Sequence, residues 1–412
     1  MNPEDIVVTG IGVYTSIGQN RKEFWEALTS GVSGAGRIRA FDPAGQKCQV
    51  ASEVKDFDPL KYVTSKRAGR MGRFSQLAVC AAFQAIADAG IQLDKENTAR
   101  IGCVIGTAAG DYEDIESQHK VFLEKGPGFC KPFAVPKIIS NMSSANVAID
   151  LGIHGPNIGV ATACSSGSHA IGVAMGMLKL GQADIMLAGG SESTITPLVV
   201  DAYACMGVLT SRNDDPETAS RPFDAGRDGF VIGEGSGVLV LERYERARRR
   251  GAEPLAVLSG FGMTSDAYSI AIPEPEGIWA ARAIESAIHG SGIDRSDVGY
   301  INAHGTSTKV NDKIETIAIK MCFGSSAYQI PISSTKSMIG HTLGAAGGIE
   351  AAATVLSIYH GVLPPTINYQ TSDPDCDLDI IPNEAREVKV KAAVSNSFGF
   401  GGQNSVLLFS RA

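Results

Sequence analysis

Short apolar runs recur along the chain with little polar alternation: Ile101-Gly102-Cys103-Val104-Ile105, Ile185-Met186-Leu187-Ala188, Val238-Leu239-Val240-Leu241 and Val406-Leu407-Leu408-Phe409. A strand that is apolar on both faces must be covered on both faces, so the pattern predicts buried, mostly parallel sheet. Helical segments alternate with the runs, among them Ala85–Ala89, Ala283–Ala287 and the small-residue stretch Ala170–Leu180. The fold class is α/β, with helices packed on the sheet faces.

The pattern also repeats. The opening Val7-Val8-Thr9-Gly10-Ile11-Gly12 returns as Val257-Leu258-Ser259-Gly260-Phe261-Gly262. The run from Ile101 to Thr107 is echoed by Val298 to Thr306, and the segment around Cys164 by the region from Ser334 through His341 to Gly361. Such a period is far too long for a solenoid, so it predicts a duplicated α/β unit. The boundary falls near Arg248–Pro254, giving halves 1–252 and 253–412 that meet at their strand ends around a central site.

Candidate chemistry falls at the turns. Thr162-Ala163-Cys164-Ser165-Ser166-Gly167-Ser168-His169 follows the apolar run Asn157–Ala161 and opens the small-residue helix. Cys164 therefore stands where a buried strand gives way to a helix N-terminus, whose free N–H groups favour a thiolate without a neighbouring cation. A packed structural thiol is the other reading, and the segment alone leaves both open. His304, in Asn302-Ala303-His304-Gly305-Thr306-Ser307-Thr308, and His341, closing Ser334-Thr335-Lys336-Ser337-Met338-Ile339-Gly340-His341, lie at matching turns of the second half. Histidines 119, 154, 169, 289 and 360 have no such setting and default to surface or packing roles. One thiol and two imidazoles suit acyl transfer with carbon–carbon bond formation: the sulfur holds an acyl group, and the imidazoles stabilise an enolate oxygen. The tail Ser395–Asn404 is glycine-rich and reads both as a hairpin and as backbone that approaches a ligand.

Composition narrows the field. The 412 residues are 44% hydrophobic and carry a net charge of −8, enough for a large core and no footprint for nucleic acid. The basic run Arg246–Arg250 is interleaved with Glu242 and Glu245 and predicts a solvated helix end. Eight cysteines without a C-x-x-C pair argue against a metal site and a disulfide framework. No apolar stretch is long enough to span a membrane and no leader is recognisable, which predicts a soluble, cytoplasmic protein. Gly106 and Gly110 are too loosely spaced for a dinucleotide fingerprint.

With these motifs in place, the chain resembles the β-ketoacyl-[acyl-carrier-protein] synthases in the branch that includes synthase II. The likeness rests on T-A-C-S-S-G around Cys164, N-A-H-G-T-S-T around His304, S-S-T-K-S-M-I-G-H ending at His341, and S-N-S-F-G-F-G-G at 395–402. The resemblance implies a thiolase fold with a layered αβαβα core, a homodimer and a ping-pong Claisen condensation in fatty-acid or polyketide chain elongation. No resident cofactor or metal is implied, since substrates arrive on the phosphopantetheine arm of acyl carrier protein. Cys164 would accept the acyl chain, while His304 and His341 promote decarboxylation of the malonyl carrier. Lys336 would support the histidines, with Asp312, Glu315 and Glu350 as nearby acids. Phe400 would gate the pocket, its N–H joining that of Cys164 in an oxyanion hole. Thr306 and Thr308 would contact the pantetheine arm.

The chain departs from its relatives in two clusters. Lys125-Gly126-Pro127 is followed by Gly128-Phe129 where relatives carry a basic pair, Met206 replaces a cation, and Asp266-Ala267-Tyr268 leads to Ser269 and Ala271. Fewer cations would then meet an acidic carrier. Ala109 and Ala134 stand where bulkier residues are common, which predicts an acyl pocket for longer or stiffer chains. Two other roles on the same fold are a coenzyme A-dependent thiolase and a chain-length-factor-like subunit paired with a ketosynthase. The first calls for a second cysteine near the C-terminus, and the last one here is Cys376. The second usually lacks the nucleophile.

Overall fold

The computed structural model describes residues 1–412. Its framework is one ten-stranded sheet. The strands are β1 (Ile6–Tyr14), β2 (Ile101–Gly106), β3 (Asn157–Val160), β4 (Ile185–Glu192), β5 (Gly235–Arg243), β6 (Ala256–Ser265), β7 (Val298–Asn302), β8 (Ile332–Ser333), β9 (Ala392–Gly399) and β10 (Gln403–Ser410). The helices that matter for the site are α1 (Arg73–Asp88), α2 (Tyr112–Lys125), α3 (Met142–Leu151), α4 (Ser166–Lys179), α5 (Pro197–Cys205), α6 (Ile278–Ile288), α7 (Lys309–Phe323) and α8 (Ala346–His360).

The sheet order is β8-β7-β9-β10-β6-β1-β5-β4-β2-β3. Read outward from its centre, each half repeats the same sequence of strands: β1-β5-β4-β2-β3 on one side and β6-β10-β9-β7-β8 on the other. The duplication is thus built into the backbone. The halves meet edge to edge, not end to end, through the antiparallel pairs Val7–Val257 and Val8–Ala256. The expectation of mostly parallel pairing also needs correction. β5 runs antiparallel to β1 and β4, and β10 antiparallel to β9 and β6. Apolarity on both faces reports burial, and burial here comes from the layers, whichever way a strand runs.

The layers follow from which faces are apolar. α4 and α8 lie between the two halves of the sheet, and their side chains share a 38-residue cluster with strands of both. Residues Ala346 to Ile358 of α8 are all buried, as a helix enclosed on every side requires. Its first turn and that of α4 approach closely at glycines: a Cβ on Gly167 would lie 2.6 Å from the Gly348 nitrogen. Outside the first half, α1 and α3 pack on β2, β4 and β5. Outside the second, α6 and α7 cover β7, β9 and β10. The result is the five-layered thiolase fold.

Two local expectations change. β3 is an edge strand, exposed at Asn157 and Ile158, and not a buried one, because only β2 pairs with it. The basic run is only partly solvated. Arg246 and Arg250 turn inward to the fully buried carboxylate of Glu242, which also accepts from Thr9 at 2.6 Å. Burial raises that carboxyl, but Arg250, Thr9 and Arg246 together keep it below its usual range.

Candidate active site

Cys164 occupies a single 3-10 turn, Ala163–Ser165, between β3 and α4. Ala163 has φ +51°, a left-handed conformation that is strained for a residue with a Cβ. The motif's own side chains hold the turn. Thr162 N–H donates to Ser166 Oγ at 2.8 Å, Ser166 Oγ donates to Ala163 O at 2.6 Å, and Ser165 Oγ donates to Thr162 O at 2.7 Å. His169 Nδ1 lies 3.0 Å from Thr162 Oγ1 and 3.1 Å from Ser165 O. His169 is therefore more than packing: it braces the turn from one helical turn on, a spacing legible as Ser165 to His169.

Cys164 is buried, only 6% exposed, and burial pushes its thiol up to about 11. Lys336 and the N–H groups of Phe400 and Cys164 oppose that shift, while Glu192 adds to it. Burial thus works against the stabilisation that the helix start, Lys336 and these N–H groups offer a thiolate. A cation does stand near it, contrary to expectation. Gly399 lets the tail come this close, since a Cβ there would lie 2.8 Å from Thr162 O and 3.3 Å from Cys164 N.

His304 and His341 are both buried, with ring centroids 5.3 Å apart at 85°. Burial holds both well below the ordinary histidine range, with Lys336 adding to the effect. The Lys336 ammonium lies 3.3 Å from His304 Nδ1 and is paired with Glu350. An ammonium only donates, so His304 Nδ1 accepts and its Nε2 carries the proton. Burial raises the Glu350 carboxyl to about 7 against the pull of Lys336. Glu315 pins the His304 turn, accepting from His304 N at 2.8 Å, Gly305 N at 2.7 Å and Asn396 Nδ2 at 3.0 Å. Asp312 works one step further out: it accepts from Phe223 N at 2.8 Å and faces Arg227 at 3.5 Å. His341 is held through its backbone, donating to Val231 O at 2.7 Å and accepting from Gly233 N at 2.9 Å, with Phe230 against its ring. Its Nδ1 has no protein partner.

Cys164, His304 and His341 line one cavity of about 640 Å³ with Thr306, Thr308 and Phe400. Thr306 and Thr308 bond to each other at 2.9 Å. Met206, Ile272 and Val310 line the same cavity and are exposed at its rim. Ala109 and Ala134 do not reach it. They lie on adjacent segments joined by the bond from Asp111 N to Ile138 O at 3.2 Å. Phe129, also singled out, is exposed. Glu192 went unnoticed in the sequence although its signal was there, a lone carboxylate closing the apolar run from Ile185. No cluster of histidine, cysteine or carboxylate groups forms a metal site, and all eight cysteines are free.

Comparison with known proteins adds to this geometry. The family described as "Beta-ketoacyl synthase, N-terminal domain" matches residues 3–247, and "Beta-ketoacyl synthase, C-terminal domain" matches 255–370. The chain is 49% identical to the 3-oxoacyl-[acyl-carrier-protein] synthase 2 of Synechocystis over 98% of both chains. Among solved structures, the ishigamide ketosynthase/chain length factor superposes with a TM-score of 0.94 at 36% identity, covering 99% of each chain. A chain of the structure described as AntDE:AntF, a type II PKS acyl-carrier protein in complex with its ketosynthase bound to the hexaketide, gives 0.91 at 36%, covering 100% of each.

Proposed function

The chain belongs to the β-ketoacyl synthase family, and from that premise we propose that it is a β-ketoacyl-[acyl-carrier-protein] synthase acting in fatty-acid or type II polyketide elongation. One observation carries the reading: a thiol and two imidazoles, both held by burial well below the ordinary histidine range, face a single cavity beneath an apolar rim. Cys164 attacks the acyl thioester, a sulfur–carbon bond forms, and the carrier leaves as its free thiol with the proton. Malonyl carrier then enters through the same rim, its pantetheine arm lying along Thr306 and Thr308. The Nε2–H of His304 and a ring N–H of His341 donate to the thioester oxygen as carbon dioxide departs. The carbon of the resulting enolate attacks the acyl carbon on Cys164, and the N–H groups of Cys164 and Phe400 receive the oxyanion; as it collapses the carbon–sulfur bond to Cys164 breaks, the β-ketoacyl chain leaves on the carrier, and the freed sulfur takes up a proton. Lys336 and Glu350 keep His304 in the donating tautomer, and Glu315 and Asp312 keep its turn in place.

Residues 1–252 and 253–412 act as two functional halves, the first supplying the sulfur and the second both imidazoles. We place the enzyme in the cytoplasm, where a free thiol persists; no helix is long and apolar enough to cross a membrane. A homodimer is supported by the unpaired edge of β3 and the exposed Ile139, Ile149 and Ile158. The likeness to a ketosynthase/chain length factor favours a second arrangement, in which this chain is the active member of a heterodimer. Native mass of the protein alone and with neighbouring gene products separates the two. The function itself is tested by intact-protein mass after incubation with acyl carrier proteins. An acyl adduct that vanishes in Cys164→Ala is expected; no adduct from any chain length would overturn the proposal.

A further inference from the structure

Glu192, the last residue of β4, is fully buried and has no cationic partner. Its carboxylate instead gathers hydrogen-bond donors from two directions. Oε1 accepts from Thr107 Oγ1 at 3.0 Å, and Oε2 accepts from Ala108 N at 2.6 Å and from Gly344 N at 3.2 Å. Thr107 and Ala108 begin the segment that carries Ala109, directly after β2. Gly344 belongs to the turn that follows His341. A Cβ on Gly344 would lie 2.7 Å from Glu192 Oε2 and 2.2 Å from Ala108 N, so the three groups are in close contact. Burial raises the Glu192 carboxyl to about 7, against the N–H groups of Ala108, Gly344 and Ala109 and the Thr107 hydroxyl. This bolt borders, through Ala108 and Leu343, the apolar cluster that contains Cys164, in which Ile195 and Val199 are also buried and against which Tyr112 and Tyr203 pack.

We propose that Glu192 is a positioning residue that selects acyl chain length. It ties the Ala109 segment to the turn after His341 and so sets the floor met by a chain extending from Cys164 into the apolar cluster. The inference rests on the acyl-enzyme reading above. A short acyl group ends before the floor. A long one reaches it, and any N–H left unpaired there meets methylenes and is penalised.

The test compares three proteins loaded with butyryl and tetradecanoyl carrier protein, reading the rate of the Cys164 adduct by intact mass. Glu192→Leu strips the acceptors from Thr107, Ala108 and Gly344, and the tetradecanoyl-to-butyryl ratio is expected to fall about tenfold. Glu192→Gln keeps an oxygen for the two N–H groups and gives Thr107 a donor, so it is expected to restore the ratio to within about twofold. If Glu192→Leu does not fold, Thr107→Val removes one bond and should move the ratio the same way by a smaller factor. Equal losses for both chains in Glu192→Leu, no rescue by glutamine, or an unchanged ratio in Thr107→Val would each overturn the inference while leaving the acyl-enzyme intact. No adduct on the unaltered protein would overturn both.

Discussion

The turn Ala163–Ser165 in the first half and the turn Leu343–Ala345 in the second are built alike. Each is a 3-10 turn leading into a central helix, and each opens on a non-glycine residue in the left-handed region, φ +51° at Ala163 and +48° at Leu343. What surrounds them differs. The first carries Cys164, and facing it are the turn after β9, with Phe400, and the turn after β7, with His304. The second carries Gly344, and facing it are Glu192 at the end of β4 and the turn after β2, with Ala108. In one case the N–H groups look into a cavity. In the other a carboxylate fills the space. Duplication thus supplied two strained turns; one stayed open for an incoming oxygen, and the other was closed by a side chain that brings its own.

The open turn should separate into two chemistries when its imidazoles are removed. His304→Ala takes away one donor to the thioester oxygen and leaves the Cys164 turn untouched. Condensation is expected to fall by about two to three orders of magnitude. The acyl adduct on Cys164 should still form at a rate within a few-fold of the unaltered protein, measured by intact mass under the same conditions. Loss of loading in parallel with condensation would mean that His304 maintains the turn itself, and the contrast between the two turns would then lose its chemical meaning.

Much of this contrast was legible in the chain. Apolar runs located the strands, and the echo of Val7–Gly12 in Val257–Gly262 located the repeat. The turn residues Cys164 and His304 stood out because each follows a strand with a reactive side chain among small residues, and His341 because it closes a short helical turn of the same kind. Other features were hidden for physical reasons. Strand direction at β5 and β10 leaves no mark in hydrophobicity, because a covered strand is apolar whichever way it runs. The exposure of β3 was missed because Ile158 and Val160 look like core residues until one edge is found unpaired. The protonation of Cys164 depends on desolvation, which no local motif records. Glu192 gave a signal that only the second turn explains, since its partners at 107, 108 and 344 are far apart in sequence.

The closed turn should resist any added atom. Gly344→Ala would place a Cβ 2.2 Å from the Ala108 nitrogen, a backbone atom with little freedom to move. Overpacking of this kind costs about 1–3 kcal/mol, and thermal unfolding should register it as a lower midpoint. Gly176→Ala, in α4, provides the contrast: nothing lies within 4 Å of its Cβ position. That change removes a helix-interior glycine and should raise stability by about 0.5–1 kcal/mol. If the two variants melt together, the carboxylate-filled turn is not tightly packed and the assignment of Gly344 to close contact is wrong.

The smallest effect links the two turns through charge alone. Glu192 raises the Cys164 thiol, Lys336 lowers it, and burial outweighs both to leave it at about 11. Alkylation by iodoacetamide proceeds through the thiolate, so its rate on Cys164 should climb about tenfold per pH unit from 7 to 10. Glu192→Gln removes a negative charge and keeps the shape of the closed turn. The thiol is then easier to ionise, and the alkylation profile should move to lower pH, giving a rate at pH 8 about two- to fivefold higher. Lys336→Met should move it the opposite way. A glutamine variant with an unchanged or slower profile would show that the charge in the closed turn is screened from the open one, so that the two turns share a backbone plan and communicate only through packing.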